Sequence, residues 1–149
     1  MPRNLWAPPE WHWRHMPCAT LGTGAGVTPV MNTWYTVLDT TKNISVLNLN
    51  LRHVNNESAS KNLGVRLTID GVVIATDLGS CTNNVTQHCK LLPTSDEFNT
   101  IGTNVQPNLY VRLNGKSVKV EARTTTAVGT NPLLFATVQY EQLERIKIT

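Results

Sequence analysis

The sequence is poor in charged residues, which make up 15% of its 149 positions, against about 25% in an average globular protein. It has no apolar run that approaches the length of a membrane-spanning helix. Its net charge of +3 comes from scattered residues, with no basic run. We therefore expect neither a membrane nor a nucleic acid among its partners.

The sequence has only three cysteines, an odd number: Cys18, Cys81 and Cys89. The start of the chain lacks the apolar segment of a secretory signal, which favours synthesis in the cytoplasm and three free thiols. As the alternative, Cys81 and Cys89 flank a polar loop and could form a local disulfide in an oxidising environment. The sequence alone leaves that choice open.

Motifs of catalysis and of cofactor binding are missing as well. The glycine-rich run Gly22–Gly26 lacks the preceding strand and the following helix of a phosphate loop, and we interpret it as a flexible hinge. His12, His15 and Cys18 have ligand-like spacing but no fourth ligand, so we expect the imidazoles to serve an interface instead. The carboxylates lie in turns and loops without a defined pairing. We expect no enzyme, no cofactor and no metal.

What the sequence does contain is the pattern of β-hairpins, and no segment has convincing helical periodicity. In Leu63–Ile69 the odd positions are apolar, and Asp70 and Gly71 form a strong type I′ turn signal. A two-residue turn here places Ile69 opposite Val72 and Leu67 opposite Ile74. Turn chemistry and apolar register therefore predict the same antiparallel hairpin.

A second hairpin is predicted by the same reasoning, with Asn114 and Gly115 as its turn. It would join Leu109–Leu113 to Lys116–Ala122, with Val111 opposite Val118 and Leu109 opposite Val120. The polar residues of both hairpins would then point outward, to solvent or to neighbouring copies of the chain. These residues are Arg66, Thr68, Tyr110, Arg112, Lys119 and Glu121.

Further strands are predicted at Asn32–Leu38, Ile44–Val54 and Leu133–Glu141. The apolar alternation changes phase at Val46 and Leu47, which indicates a β-bulge or a bend. Residues 77–107 are predicted to be a long polar loop with at most one short strand. Together these elements predict an all-β fold, an antiparallel two-sheet β-sandwich of jelly-roll or immunoglobulin-like type. A flattened barrel is the alternative.

Three of the four tryptophans fall in the first thirteen residues, ahead of the hairpins. This opening segment mixes aromatics with prolines and glycines and shows neither a helical nor a strand period. We therefore divide the chain into an extended N-terminal docking arm, residues 1–31, and a β-sandwich domain, residues 32–149. Exposed indoles favour burial against a partner. The predicted partner-binding residues are Leu5, Trp6, Trp11, Trp13 and Met16.

The hairpin segment Leu67–Ile74, with the sequence Leu-Thr-Ile-Asp-Gly-Val-Val-Ile, resembles the β-sandwich modules of tailed-phage virion structural proteins. The resemblance extends over residues 32–140 and leaves out the tryptophan-rich arm. Its other segments are Asn32–Leu38, Leu47–Leu51, Leu109–Leu113 and Ser117–Glu121.

The resemblance implies a non-enzymatic virion component: a capsid decoration protein, a fibre protein, or a tail or connector protein. Such a protein is made in the host cytoplasm, assembles as a homo-oligomer, and binds other virion proteins such as the capsid shell or tail. The alternative is a carbohydrate- or host-receptor-binding sandwich. That function would need an aromatic platform on the body, for which Trp34, Tyr35, Tyr110 and Tyr140 are the candidates.

Overall fold

The computed structural model describes residues 10–91, 98–101 and 113–145. These residues form eleven strands and one turn of 3-10 helix, Leu21–Gly24, and no helix among them is long and apolar enough to cross a membrane. The strands are β1 (Trp11–His15), β2 (Ala19–Thr20), β3 (Tyr35–Thr40), β4 (Ile44–Val54), β5 (Lys61–Ile69), β6 (Val72–Cys81), β7 (Gln87–Leu91), β8 (Phe98–Ile101), β9 (Leu113–Gly115), β10 (Val118–Thr124) and β11 (Leu133–Arg145).

The strands form two antiparallel sheets. The larger sheet has the order β1-β11-β4-β7-β8, with β2 also paired to β11 and β9 also paired to β4. The smaller sheet has the order β3-β10-β5-β6. The prediction of an all-β, two-sheet antiparallel fold is confirmed.

The core lies between the two sheets and follows the period-two alternation of the strands. In the smaller sheet, Leu63, Val65 and Leu67 of β5 are fully buried, and so are the residues opposite them on β10, which are Thr124, Ala122 and Val120. Each buried aliphatic side chain contributes about 1.5–3 kcal/mol to folding. The larger sheet supplies Ile44, Val46, Leu49, Leu51, Leu134, Ala136 and Val138.

The phase change predicted in β4 is a β-bulge. Tyr140 of β11 lies opposite Val46, while Gln139 lies opposite Asn48, so residue 47 has no counterpart on β11. The extra residue lets Val46 and Leu49 both enter the core, although they are three positions apart. The strand itself begins and ends where the sequence predicts it.

The first predicted hairpin is also confirmed. Ile69 pairs with Val72, and Leu67 pairs with Ile74, across the turn of Asp70 and Gly71. Both turn residues have positive φ, 49° and 83°, as a type I′ turn requires.

The second predicted hairpin is wrong. Within the described part of the chain, β9 pairs with β4 in the larger sheet, whereas β10 lies in the smaller sheet between β3 and β5. Both edges of β10 are therefore occupied, and Val118 pairs with Ile69 and Thr40. The expected partners of β10, Leu109 and Val111, lie outside the described residues.

The glycine that suggested the second hairpin has a different role. A Cβ atom at Gly115 would lie 2.6 Å from Cγ2 of Ile69 and 2.9 Å from Cγ2 of Val118. Glycine is needed here because β9 approaches the smaller sheet closely and leaves no room for a side chain. The backbone conformation does not require glycine, since the φ of Gly115 is not positive. Asp70 holds the connection from β9 to β10, because its Oδ1 accepts hydrogen bonds from the N–H groups of Lys116 and Ser117.

The sequence predicts no strand before residue 32, and this is wrong for the described residues 10–31. β1 and β2 both pair with β11, Leu21 is buried in the core, and Val27 bridges to Leu134. The alternation of aromatic and polar residues in Trp11–His15 is a strand pattern, which the neighbouring prolines obscure. Residues 10–31 are therefore part of the sandwich, and a boundary at residue 31 does not separate them from it.

Two smaller differences concern the following segments. β3 begins at Tyr35 rather than at residue 32. The predicted long loop also contains more strand than expected, because β6 continues to Cys81 and is followed by β7 and β8.

A buried histidine ties β4 to the loop that follows β10. His53 is 1% exposed; its Nδ1 lies 3.2 Å from Oγ1 of Thr124, and its Nε2 lies 3.1 Å from the carbonyl oxygen of Val128. A neutral ring satisfies both contacts when Nε2–H donates to Val128 and Nδ1 accepts from the Thr124 hydroxyl. Burial lowers the pKa of His53, and nearby Lys61 lowers it further.

This histidine predicts a loss of stability in mild acid. Because the folded-state pKa of His53 lies below its unfolded value of about 6.5, the unfolded chain binds more protons between the two values. The free energy of unfolding should therefore fall as the pH drops through about 6.5 towards the lowered pKa. Urea unfolding across this range measures it. His53→Gln should flatten the slope, and equal slopes in the two proteins would contradict the assignment.

Candidate functional site

The N-terminal strand β1 lies along the outer edge of the larger sheet. Trp11 pairs with Arg145 and His15 pairs with Glu141, so β1 covers the C-terminal half of β11. Two ion pairs hold its ends: Nη1 of Arg14 lies 3.2 Å from a carboxylate oxygen of Glu144, and Nη2 of Arg145 lies 2.8 Å from one of Glu10. Both pairs are largely exposed, so the backbone ladder supplies most of the attachment.

The two described tryptophans of this segment project from the same face of β1, because they are two residues apart on a strand. Trp11 is 51% exposed. Trp13 is half-buried and pairs with Leu143. An exposed indole at a sheet edge is a large apolar surface without a covering group in the described chain.

The structure describes three of the five predicted partner-binding residues. Trp11 and Trp13 lie together on β1, and Met16 follows the strand, where its N–H donates to the carbonyl of Tyr140 at 3.1 Å. Leu5 and Trp6 lie outside the described residues. That this segment binds a partner stays a prediction.

A cleft of about 290 Å³ opens beside Trp13 at one end of the sandwich. It is formed where β1, β11, the turn before β4 and the connection from β9 to β10 meet. Asp70, which holds that connection through its backbone hydrogen bonds, forms part of the wall. The lining residues are Trp13, Asn43, Asp70, Gly115, Lys116 and Leu143.

The chemistry of this cleft suits a small polar ligand that has an apolar face. The indole of Trp13 and the side chain of Leu143 offer an apolar wall, while Asn43, Asp70 and Lys116 offer an amide, a carboxylate and an ammonium group. Pockets that bind small molecules combine such a wall with a few polar groups that set the orientation. No local sequence signal predicts this cleft, since its members are brought together only by the order of the strands.

A second polar cluster lies on the outer face of the smaller sheet. Glu121 of β10 accepts two hydrogen bonds from Arg66 of β5, from Nε at 2.6 Å and from Nη2 at 2.9 Å, and it lies 3.4 Å from Nζ of Lys119. Both cations lie over Glu121, whose side chain is only 5% exposed. The Arg66 guanidinium holds the pKa of Glu121 below its ordinary value, and Lys119 adds to the effect.

The same cluster covers Trp34. The guanidinium carbons of Arg66 and Arg123 lie 4.5 Å and 4.3 Å from the centre of its indole ring, within the range of cation–π contacts. The sequence correctly placed Arg66 and Glu121 outside the core. It did not predict that Glu121 is buried under its neighbours.

The aromatic residues suggested as a sugar platform do not form one exposed face. Tyr35 and Tyr140 pack against the core, and Trp34 lies among the arginines. Tyr110 lies outside the described residues. A platform built from these four residues is therefore not present in the described part of the chain.

The histidine and cysteine residues do not converge either. On β1, His12 and His15 are three positions apart and point to opposite faces, and the described residues contain no group of three or more His, Cys, Asp or Glu that could hold a metal ion. Cys81 is a buried free thiol and Cys18 an exposed one. Burial raises the pKa of the Cys81 thiol, which makes it a poor nucleophile.

Comparison with protein-family models, curated proteins and solved structures found no match for this chain. Two features stand out: the tryptophan-bearing edge strand β1, and the cleft that Trp13 shares with Lys116 and Asp70.

The Arg66–Glu121 pair predicts a clear effect on stability. Glu121→Ala should lower the free energy of unfolding by about 1–3 kcal/mol, because it leaves the donors of Arg66 without their acceptor. Lys119→Ala, which removes the longer and more exposed contact, should cost less than about 1 kcal/mol. Urea unfolding near neutral pH gives both values. Equal losses in the two variants would show that the bidentate Arg66–Glu121 pair stabilises the fold no more than the Lys119 contact does.

Proposed function

We propose that this chain is a non-enzymatic virion structural protein: a capsid decoration, fibre, or tail or connector component. It assembles as a homo-oligomer and is attached through its N-terminal segment to the capsid shell or tail. The observation that carries the proposal is Trp11, an indole 51% exposed on a strand at the free edge of the larger sheet. A surface of this kind favours burial against another protein.

The edge position of β1 supports the same function. β11 occupies one side of β1, and no described strand pairs with its other side. Exposed strand edges present unpaired N–H and C=O groups, to which another chain can add by backbone hydrogen bonds. Exposed valines at the start of β6, an edge strand of the smaller sheet, offer a further contact surface.

The order of the strands supports a jelly roll rather than an immunoglobulin-like sandwich. Each sheet interleaves early and late strands, as β1-β11-β4-β7 and β3-β10-β5-β6. When the additional strands β2, β8 and β9 of the larger sheet are left aside, these are two four-stranded paths. A pair of Greek keys produces this arrangement, and viral capsid proteins and lectins use it. The proposed virion setting itself rests on the resemblance of Leu67–Ile74.

The assembly role is tested by light scattering on the full-length protein. We expect a defined oligomer, and we expect Trp11→Ala to raise its dissociation constant by about 10- to 100-fold, since burial of a large apolar side chain contributes about 1.5–3 kcal/mol. Val30→Ala is the matched control, because Val30 is a similarly exposed apolar residue outside β1.

A monomeric protein at all concentrations tested would contradict the homo-oligomer. A mass that responds equally to both substitutions would contradict the role of Trp11. The virion setting is tested separately, by looking for this chain in purified particles from cells that express its gene.

A carbohydrate- or host-receptor-binding function is the second candidate, and the cleft favours it. The indole of Trp13 offers a flat apolar face, and Asn43, Asp70 and Lys116 offer donors and acceptors for hydroxyl groups. A saccharide ring, which is apolar on one face and rich in hydroxyls at its rim, matches this arrangement.

Glycan-array binding tests this second function. The array first identifies a glycan that the unmodified protein binds. Trp13→Ala should abolish this binding, because the apolar wall of the cleft is lost. Trp11→Ala is the control, since Trp11 lies on the same strand but does not line the cleft. Glycan binding that survives Trp13→Ala would rule out the cleft as the site.

A further inference from the structure

We propose that residues 10–21 are exchanged between two copies of this chain, so that β1, β2 and Leu21 of one copy lie on β11 of the other. This inference rests on the assembly role proposed above and names its partner as a second copy of the same chain. The exchanged segment ends at the glycine-rich run Gly22–Gly26, and the rest of the sandwich stays with its own copy.

The contacts of the segment are of a kind that transfers without change. β1 pairs only with β11 among the described strands, and its side chains are exposed or half-buried, so it inserts nothing into the core. Its two ion pairs, Arg14 with Glu144 and Glu10 with Arg145, also join it to β11. All of these contacts form equally well when β11 belongs to another copy.

Leu21 gives the exchanged segment its apolar anchor. It is 4% exposed and belongs to the core cluster, directly after β2. Burial of this leucine stabilises the fold equally, whichever copy provides the surrounding core. The segment therefore has one fully buried side chain, Leu21, a second that packs partly against the core, Ala19, and a backbone ladder, which is the composition of a donated strand.

The run after Leu21 has the length of a hinge. Thr20 pairs with Thr137, and Val27 bridges to Leu134, so the six residues 21–26 lie beside only the two residues 135–136. The surplus is looped out as the 3-10 turn. Because Leu21 moves with the exchanged segment, the hinge consists of the five residues 22–26, which can span up to about 17 Å when extended, enough to reach an adjacent molecule.

The same run stores backbone strain that an extended hinge would release. Gly22, Thr23, Gly24 and Gly26 all have positive φ, between 55° and 92°. For Thr23, a β-branched residue, this conformation is strained. The tip is not held by packing, since a Cβ atom at Gly24 would meet nothing within 4 Å.

A disulfide trap between two different chains tests the exchange. His12 lies directly opposite Glu144, and paired residues of antiparallel strands lie within the Cα separation of a disulfide. One full-length chain carries His12→Cys and a second, of different mass, carries Glu144→Cys. Both contain Cys18→Ser, because Cys18 is exposed. The chains are unfolded, refolded together and oxidised.

Exchange predicts a covalent heterodimer that includes about half of the chains, the statistical share of mixed pairs in a two-fold dimer. The matched control replaces Glu144→Cys by Lys42→Cys, at an exposed turn position that is not opposite His12, and should give only background cross-linking. A single chain with both His12→Cys and Glu144→Cys should run as cross-linked species larger than one chain on a non-reducing gel.

The exchange is wrong if the double variant closes its disulfide within one chain and the mixed chains cross-link no more than the control. That result would leave the proposed function standing if light scattering still shows an oligomer that Trp11→Ala dissociates. A monomer by light scattering would remove the assembly role itself.

Discussion

The larger sheet depends on β11, the longest strand, because both of its edges must find backbone partners along thirteen residues. β4 satisfies one edge over most of that length. The other edge is covered by β1, then β2, and then the bridge at Val27. Without the N-terminal segment, the N–H and C=O groups on that edge would lose their protein partners. This requirement brings a tryptophan-rich segment into the sheet.

The same requirement explains where the candidate site lies. β1 places Trp13 beside Leu143 at the end of β11, and the adjacent turn and the connection from β9 to β10 supply the polar wall. Asp70 has two roles there, since its carboxylate holds that connection and the residue also lines the cleft. The cleft is thus a consequence of strand order, and its residues come from five separate parts of the chain.

Local signals predicted the parts of this fold that depend on neighbouring residues. The bounds of β4, its bulge, and the hairpin at Asp70 and Gly71 all follow from alternation and turn chemistry. The second hairpin was predicted wrongly, because the glycine at position 115 is required by a close approach to Ile69, and the sequence alone does not distinguish that requirement from a turn. The N-terminal strand was missed for a similar reason, since its partner is at the other end of the chain. The cleft was missed as well, because it forms only where the N-terminal strand and the connection after Gly115 come together.

The pairing of the first described strand with the last has a consequence for folding. Arg14 and Glu144 are 130 positions apart, and contacts of such long sequence separation slow folding because a large loop must close before they form. During synthesis, β1 emerges first and must wait for β11, with Trp11 and Trp13 uncovered in the meantime. The larger sheet can be completed only after β11 has emerged from the ribosome. Until then, the nascent protein is an open sandwich with an unpaired edge.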